Sequence, residues 1–309
     1  MPIIVKTVVV HGATGQQGGS VVRALSSTGY RIRAAVRDVD SAKAKDLAAL
    51  PGVELVKVDL ADIDSLITAY TGVDAVFACT FPDRVNSQEV AHGKAMADAS
   101  KAAGVKLHVW SALESIKTIT KGELFAQHFD DKAAVTEYIK SIGIPAAYIY
   151  LGSFMENYIN FPGASTYDAE HDKIVLKYGG LRTDIPLPMV RVSKDVGEVA
   201  KIIAAHPDDF VGQDIAIADV TLSIKEHAAT IQKVSGKQCQ DVQGPELPQF
   251  PNINNMYRFA NDGKYKFFAG MQQPNPILKK YGFQASTFES FVAEALLPHL
   301  KLEAVKDAA

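Results

Sequence analysis

Val8-Val9-Val10-His11-Gly12-Ala13-Thr14-Gly15-Gln16-Gln17-Gly18-Gly19 is the stretch whose reading decides the fold. A β-branched run leads into glycines at 12, 15 and 18, and a second apolar run over 32–36 ends at Arg37. Residues 7–10 read as a strand buried on both faces of a parallel sheet. The first glycine lets the chain turn out of the strand. The second lets the backbone approach a pyrophosphate, and the third lets the next helix pack closely on the sheet. A helix over 16–27 follows, with Val21, Val22 and Leu25 on its sheet-facing side. Its N-terminal N–H groups and positive dipole end suit phosphate. A lone triplet also fits an ordinary tight turn, but its place between strand and helix, at the start of a βαβ unit, selects dinucleotide binding.

The end of the second strand selects the dinucleotide. An NAD site places an acid there to accept from the ribose 2′-OH. Here the position holds Arg37, with Arg33, Lys43 and Lys45 nearby. A guanidinium matches a 2′-phosphate in charge and fork geometry. The reading is NADP(H) over NAD(H), although Asp38 follows directly and a solvated strand-end arginine is the plain alternative.

Outward from this unit, strands are expected over 53–58, 73–79, 105–110 and 146–150, alternating with helices over 62–70, 90–103 and 129–142. That alternation specifies a Rossmann-type, doubly wound parallel sheet, in which ligands bind beyond the carboxyl ends of the strands. A dinucleotide-binding domain over 1–153 precedes a smaller α+β lobe over 154–309, interleaved with the sheet and closing over the cleft. In the second part, prolines and glycines cluster, and strand-like runs at 173–178 and 213–218 are read into the smaller lobe. Ser193 or Asp195 is expected to cap a helix running through Ala204.

The chain has 309 residues and a formal charge of −3, which gives no global electrostatic case for nucleic acid or a membrane surface. Two cysteines, Cys79 and Cys239, cannot build a disulfide framework and suit a reducing compartment. No apolar run is long enough to span a bilayer, and no signal peptide is expected ahead of the first strand. The histidines show no metal-ligand spacing, so no metal site is expected.

The chemistry candidates follow the fifth strand. A short-chain dehydrogenase carries Tyr-x-x-x-Lys at the start of the next helix; the tyrosine moves the proton, and the lysine lowers its pKa and holds the nicotinamide ribose. That place holds His128-Phe129-Asp130-Asp131-Lys132. Two readings stand. His128 is a proton donor, or the position has lost catalysis and Lys132 survives as a cofactor contact. The second is preferred, because imidazole differs from phenol in length and charge type. Ser111 stands where a serine polarises a carbonyl, or it is a strand-end hydroxyl bonded to backbone. Lys94 reaches back toward the cofactor or is a solvated helix lysine. Cys79 is read as a buried filler. Tyr148, Phe154, Tyr158, Phe161 and Tyr167 line an aromatic pocket or belong to the core of the lobe.

Several segments together resemble the NmrA-like family, a branch of atypical short-chain dehydrogenases. They are residues 12–20, Arg37, Ser111-Ala112-Leu113-Glu114, His128-Phe129-Asp130-Asp131-Lys132, Phe154-Met155-Glu156-Asn157, Val192-Ser193-Lys194-Asp195-Val196-Gly197 and Asn255-Met256-Tyr257-Arg258-Phe259. The resemblance covers nearly the whole chain, and the His-Phe-Asp-x-Lys segment is its most specific piece. It implies NADP(H) bound by Gly12, Ala13, Thr14, Gly15, Gln16, Gln17, Arg37, Asp59, Leu60, Thr80, Phe81, Pro82 and the turn to Asp83. Lys94, Lys132, Phe154, Met155, Glu156 and Asn157 complete the implied set. Phe81-Pro82 departs from the polar–aromatic pair some relatives carry.

The resemblance also implies two kinds of function. Some members sense nucleotide redox state and bind protein partners, including a GATA-type transcription factor in fungi. Others, such as related quinone reductases and isoflavone-type reductases, retain chemistry. The expectation is an NADP(H)-binding redox sensor acting through a protein partner such as a transcription factor, in the cytoplasm or nucleus, as monomer or homodimer. The alternative is an NADPH-dependent oxidoreductase or cofactor-assisted biosynthetic enzyme with a small-molecule substrate, using His128, Lys132 and Ser111.

Overall fold

A computed structural model of the chain describes residues 2–81 and 88–305. The first half alternates as expected: β1 (Thr7–Val10), α1 (Gln16–Ser26), β2 (Arg31–Val36), α2 (Ala42–Ala48), β3 (Val53–Lys57), α3 (Ile63–Tyr70), β4 (Ala75–Ala78), α4 (Glu89–Ala102), β5 (Leu107–Ala112), α5 (Ile116–Ile119), α6 (Gln127–Ile142) and β6 (Ala146–Leu151). The lobe then begins with β7 (Ser153–Phe154), α7 (Asn157–Asn160), β8 (Ser165–Asp168), β9 (Lys173–Gly179) and β10 (Leu187–Val190). After a π-helical turn at Val192–Val196 come α8 (Gly197–Ala205), α9 (Pro207–Phe210), β11 (Asp214–Ile217), β12 (Val220–Leu222), α10 (Ile224–Ser235), β13 (Gln238–Gly244) and α11 (Pro251–Asp262).

Seven strands form one sheet in the order β11-β6-β5-β4-β1-β2-β3, with every neighbouring pair parallel. β1 is the reason the opening run is apolar throughout. Val8 and Val10 pack with Val21, Val22 and Leu25 of α1 on one face, while Val9 packs with Tyr70, Met96 and Trp110 on the other. The chain steps from β1 to β2 and β3 on one side, then crosses to β4 on the other. That reversal between β1 and β4 opens the crevice where ligands bind in such sheets.

The strand at 214–217, expected in the smaller lobe, is the seventh strand of the main sheet. Ile215 and Ile217 belong to the core that α1 and α8 share. Local pattern cannot show this, since a short apolar strand reads the same in either sheet. The lobe itself is built on two three-stranded sheets, β12-β10-β7 and β13-β9-β8. Its core gathers Tyr158, Ile174, Leu176, Met189, Ile231 and Phe291. Ser223 and Glu226 form a reciprocal capping box that starts α10, and Gly236 ends it in a left-handed conformation.

Candidate functional site

The glycine turn is shaped by close approaches. Gly12 has φ +61°, and a Cβ there would meet the Cys79 Sγ at 2.8 Å. At Gly18 a Cβ would lie 2.4 Å from the carbonyl oxygens of both His11 and Gly12. Gly15 closes the turn by donating its N–H to the Gly12 carbonyl at 2.8 Å. It is also the N-cap residue of α1, and no side chain caps that helix. The first-turn N–H groups therefore point from an 11-residue helix with no protein acceptor supplied at the cap. Gln17 places a buried Oε1 at the same turn with no hydrogen-bond partner among the described residues. A narrow, glycine-walled cradle at an uncapped helix N-terminus suits a pyrophosphate. Cys79 behind it donates to the His11 carbonyl at 3.4 Å, and burial pushes its thiol up to about 11, so it is a filler and not a nucleophile.

On the β2–β3 side, Arg37 is exposed just past the end of β2. The Asp38 carboxylate beside it accepts the Asp40 N–H at 2.9 Å. Arg33 is a staple, donating to the carbonyls of Ala69 and Thr71 at 2.8 Å, and Lys45 lies 3.6 Å from Asp40. Asp59 is exposed after β3 and accepts the Ala61 N–H at 2.9 Å, while Leu60 is half-buried against the core.

On the β4–β5 side the structure brings together residues the sequence separates by fifty positions. The Lys132 ammonium is buried and lies 3.0 Å from Glu89 Oε1. It donates to Thr80 Oγ1 at 3.0 Å, with the Ser111 carbonyl at 3.4 Å and the Trp110 ring centroid 5.0 Å away. Thr80 in turn donates its hydroxyl to Glu89 Oε1 at 2.5 Å. Ser111 is buried at the end of β5. His128 sits one helical turn before Lys132 on α6, half-buried, its ring edge-on to Phe129 at 4.9 Å. Glu89 was not singled out from the sequence. An acid in the first turn of a helix reads as a helix-dipole residue, and nothing local announces a lysine partner on another helix.

The remaining candidates fall in different surroundings. Lys94 stands between α4 and α6 with its ammonium 4.9 Å from the Tyr138 ring centroid. Phe81 is exposed beyond β4, and Pro82 and Asp83 lie outside the described residues. Phe154 is half-buried against the sheet core, Asn157 is half-buried at the start of α7, and the Met155 side chain is fully buried in the lobe. The Glu156 carboxylate accepts the N–H groups of Val192 at 3.0 Å and Ser193 at 2.8 Å. This corrects the expected cap. The helix at 192 opens as a π-helical turn, and its first N–H groups are satisfied by Glu156, not by Ser193. Asp195 instead accepts from the Arg191 N–H and from the Ser286 N–H and hydroxyl, and burial pushes its carboxyl up.

The five aromatics do not converge on one pocket. Tyr148 and Tyr158 are core residues, Tyr158 bonding to His227 at 2.7 Å, and Tyr167 is tied to Asp172 at 2.6 Å on the surface. Among the described residues there is no cluster of three or more potential metal ligands, and no helix is long and apolar enough to cross a membrane.

A profile of the NmrA-like family matches residues 5–294. The chain is 29% identical over 293 residues to an NmrA-like family domain-containing oxidoreductase of Aspergillus campestris, covering 86% of each. It is 27% identical over 257 residues to the nitrogen metabolite repression protein of Emericella nidulans, covering 82% of this chain and 72% of that one. Among solved structures, NmrA, a negative transcriptional regulator, superposes with a TM-score of 0.81 both in complex with NADP and in complex with NAD. Identity is 24% and 23%, and the match covers 96% of this chain and 97% of that one. At that identity the structural likeness speaks for the fold alone.

Proposed function

The chain belongs to the NmrA-like family, and from that premise we propose that it binds NADP(H) across the strand ends and acts as a redox-responsive regulator through a protein partner, in the cytoplasm or nucleus. Gly12, Gly15 and the N-terminus of α1 hold the pyrophosphate, Gln17 lies at the same turn, and Arg37 takes the 2′-phosphate. Thr80, Lys132 and Ser111 stand at the nicotinamide end. When bound, the cofactor supplies a hydride donor or acceptor there.

The observation that carries the regulator reading is the state of Lys132. In the reductase pattern this lysine serves a neighbouring tyrosine. Here the tyrosine position holds His128, and the lysine is in a buried ion pair with Glu89 and bonded to Thr80. A regulator needs differential binding of two nucleotide states coupled to a change in what the surface presents. It does not need a proton relay.

A reductase is the second reading. It is supported by the oxidoreductase name of the Aspergillus campestris relative and by His128 standing one turn from Lys132. Calorimetric titration with NADP⁺, NADPH, NAD⁺ and NADH, followed by NADPH absorbance over quinones, aldehydes and enones, separates the two. Binding without oxidation is expected. Steady NADPH consumption overturns the regulator reading and makes His128, Lys132 and Ser111 the residues to mutate. Arg37→Ala is expected to weaken NADP(H) by roughly tenfold or more and to leave NAD(H) unchanged, as loss of a charge-assisted phosphate contact requires. Equal loss for both would remove the 2′-phosphate assignment.

A further inference from the structure

We propose that Glu89 balances the charge of Lys132 at the nicotinamide end of the cleft and so sets how far the protein distinguishes oxidised from reduced nucleotide. The proposal rests on the nucleotide-binding reading above. Glu89 opens α4, its side chain is 0% exposed, and that of Lys132 is 7% exposed. Its Oε1 receives both the Thr80 hydroxyl and the Lys132 ammonium. Its Oε2 has no hydrogen-bond partner among the described residues. Leaving an oxygen of a buried carboxylate without a donor is expensive, and a buried ion pair is a weak source of stability. Retaining the pair at that cost points to a charge the site has to hold.

The position gives that charge a target. The pair stands at the ends of β4 and β5, across β1 from Arg37. The two halves of a dinucleotide straddle the switch point of the sheet. With the 2′-phosphate at Arg37, the nicotinamide falls to the β4–β5 side. The ring carries one positive charge in NADP⁺ and none in NADPH. A lone ammonium beside it disfavours NADP⁺ and a lone carboxylate favours it, so the balance struck within the pair sets how far the two nucleotide states differ in affinity. Among the described residues the Cys79 thiol also feels the charges of Lys132 and Glu89, and burial keeps it protonated. Glu89 is the carboxylate in contact with the ammonium.

The experiment measures Kd by calorimetry for NADP⁺, NADPH and 2′,5′-ADP, which keeps the phosphate end and lacks nicotinamide. It uses the full chain as wild type, Glu89→Gln, Lys132→Met and the double variant. Glu89→Gln is expected to raise the ratio of Kd for NADP⁺ to Kd for NADPH roughly tenfold, the scale of one charge acting across partly wet protein. Lys132→Met is expected to lower it by a similar factor, and the double variant to return near wild type. Affinity for 2′,5′-ADP should stay within about twofold throughout.

Opposite signs in the two single variants are what a merely structural role cannot produce. Single variants that shift the ratio the same way, or not at all, overturn the proposal, as does parallel loss of 2′,5′-ADP. If Glu89→Gln does not fold, Lys132→Met still has to lower the ratio with 2′,5′-ADP affinity kept, and a ratio that rises or stays at the wild-type value overturns the proposal. Wild type that binds 2′,5′-ADP but neither dinucleotide overturns this inference and leaves the phosphate cradle. Wild type that binds none of the three overturns both.

Discussion

At the scale of single residues, the decisive contacts are made by carboxylates whose partners lie far along the chain. Glu156 is one. It sits in a turn of the smaller lobe, yet its two oxygens hold the first N–H groups of the helix that returns to the main sheet. The resemblance placed it beside the cofactor, and its 36-residue reach to Val192 has no local signature. Glu156→Ala leaves two helix-start donors without their acceptor, one of them fully buried. A loss of about 2–4 kcal/mol is expected, read as a lower urea midpoint. A midpoint unchanged from wild type would show that the bonds contribute nothing to stability. Glu89 has the same character: one acid, one lysine on another helix, and a hydroxyl between them.

At the scale of elements, the glycine turn separates folding from binding. Gly18 is buried, and an added Cβ would run into two backbone oxygens that cannot move without unmaking the turn. Gly15 is exposed, and its Cβ would meet only the Gly12 carbonyl, at 3.1 Å, a contact relieved by a shift of a few tenths of an ångström where Gly18 would need far more. Gly18→Ala is therefore expected to lower the melting temperature by several degrees, an overpacking cost of about 1–3 kcal/mol. Gly15→Ala should melt within a few degrees of wild type and lose roughly tenfold or more in NADP(H) affinity, because the added methyl stands where the phosphate must approach. Retained affinity in a folded Gly15→Ala protein would move the phosphate elsewhere. The α1–α8 contact is similarly close. Gly197 donates its N–H to the Ser20 hydroxyl at 3.0 Å, and a Cβ there would meet the Ser20 carbonyl at 2.5 Å.

At the scale of the whole molecule, three buried histidines tie the two parts of the fold to pH. His11 bonds to the Tyr70 hydroxyl, His108 to Ser100 and His227 to Tyr158. Burial lowers them to about 4, about 3 and about 3. All three are neutral in the folded protein, so unfolding below the ordinary histidine value of about 6.5 takes up a proton at each ring. Stability should be level above pH 7 and fall as pH drops, by about 4 kcal/mol per pH unit once all three protons are taken up on unfolding. The carboxyls of Glu114, Asp195 and Asp219, raised by burial, act in the opposite sense. Urea midpoints from pH 7.5 to 5.5 measure the net slope. His108→Gln should reduce it by about one proton. A slope untouched by that change would mean His108 is not held neutral.

What the sequence by itself determined is what repeats locally. The order of β1 to β6 follows from apolar periodicity, and the tight turn between β1 and α1 follows from three glycines placed between a strand and a helix. The place of Arg37, exposed just past the end of β2, was readable because the strand before it is apolar at all its buried positions. The family follows from several such segments taken together. What only the tertiary structure decided depends on contacts between distant parts of the chain. β11 joins the main sheet because Ile215 and Ile217 complete a core laid down two hundred residues earlier by α1 and β1. Glu89 meets Lys132 because α4 and α6 pack on the same face of the sheet. A lysine and a glutamate look alike in sequence whether they face water or each other; burial and a 3.0 Å separation turn these two into one charge-balanced unit.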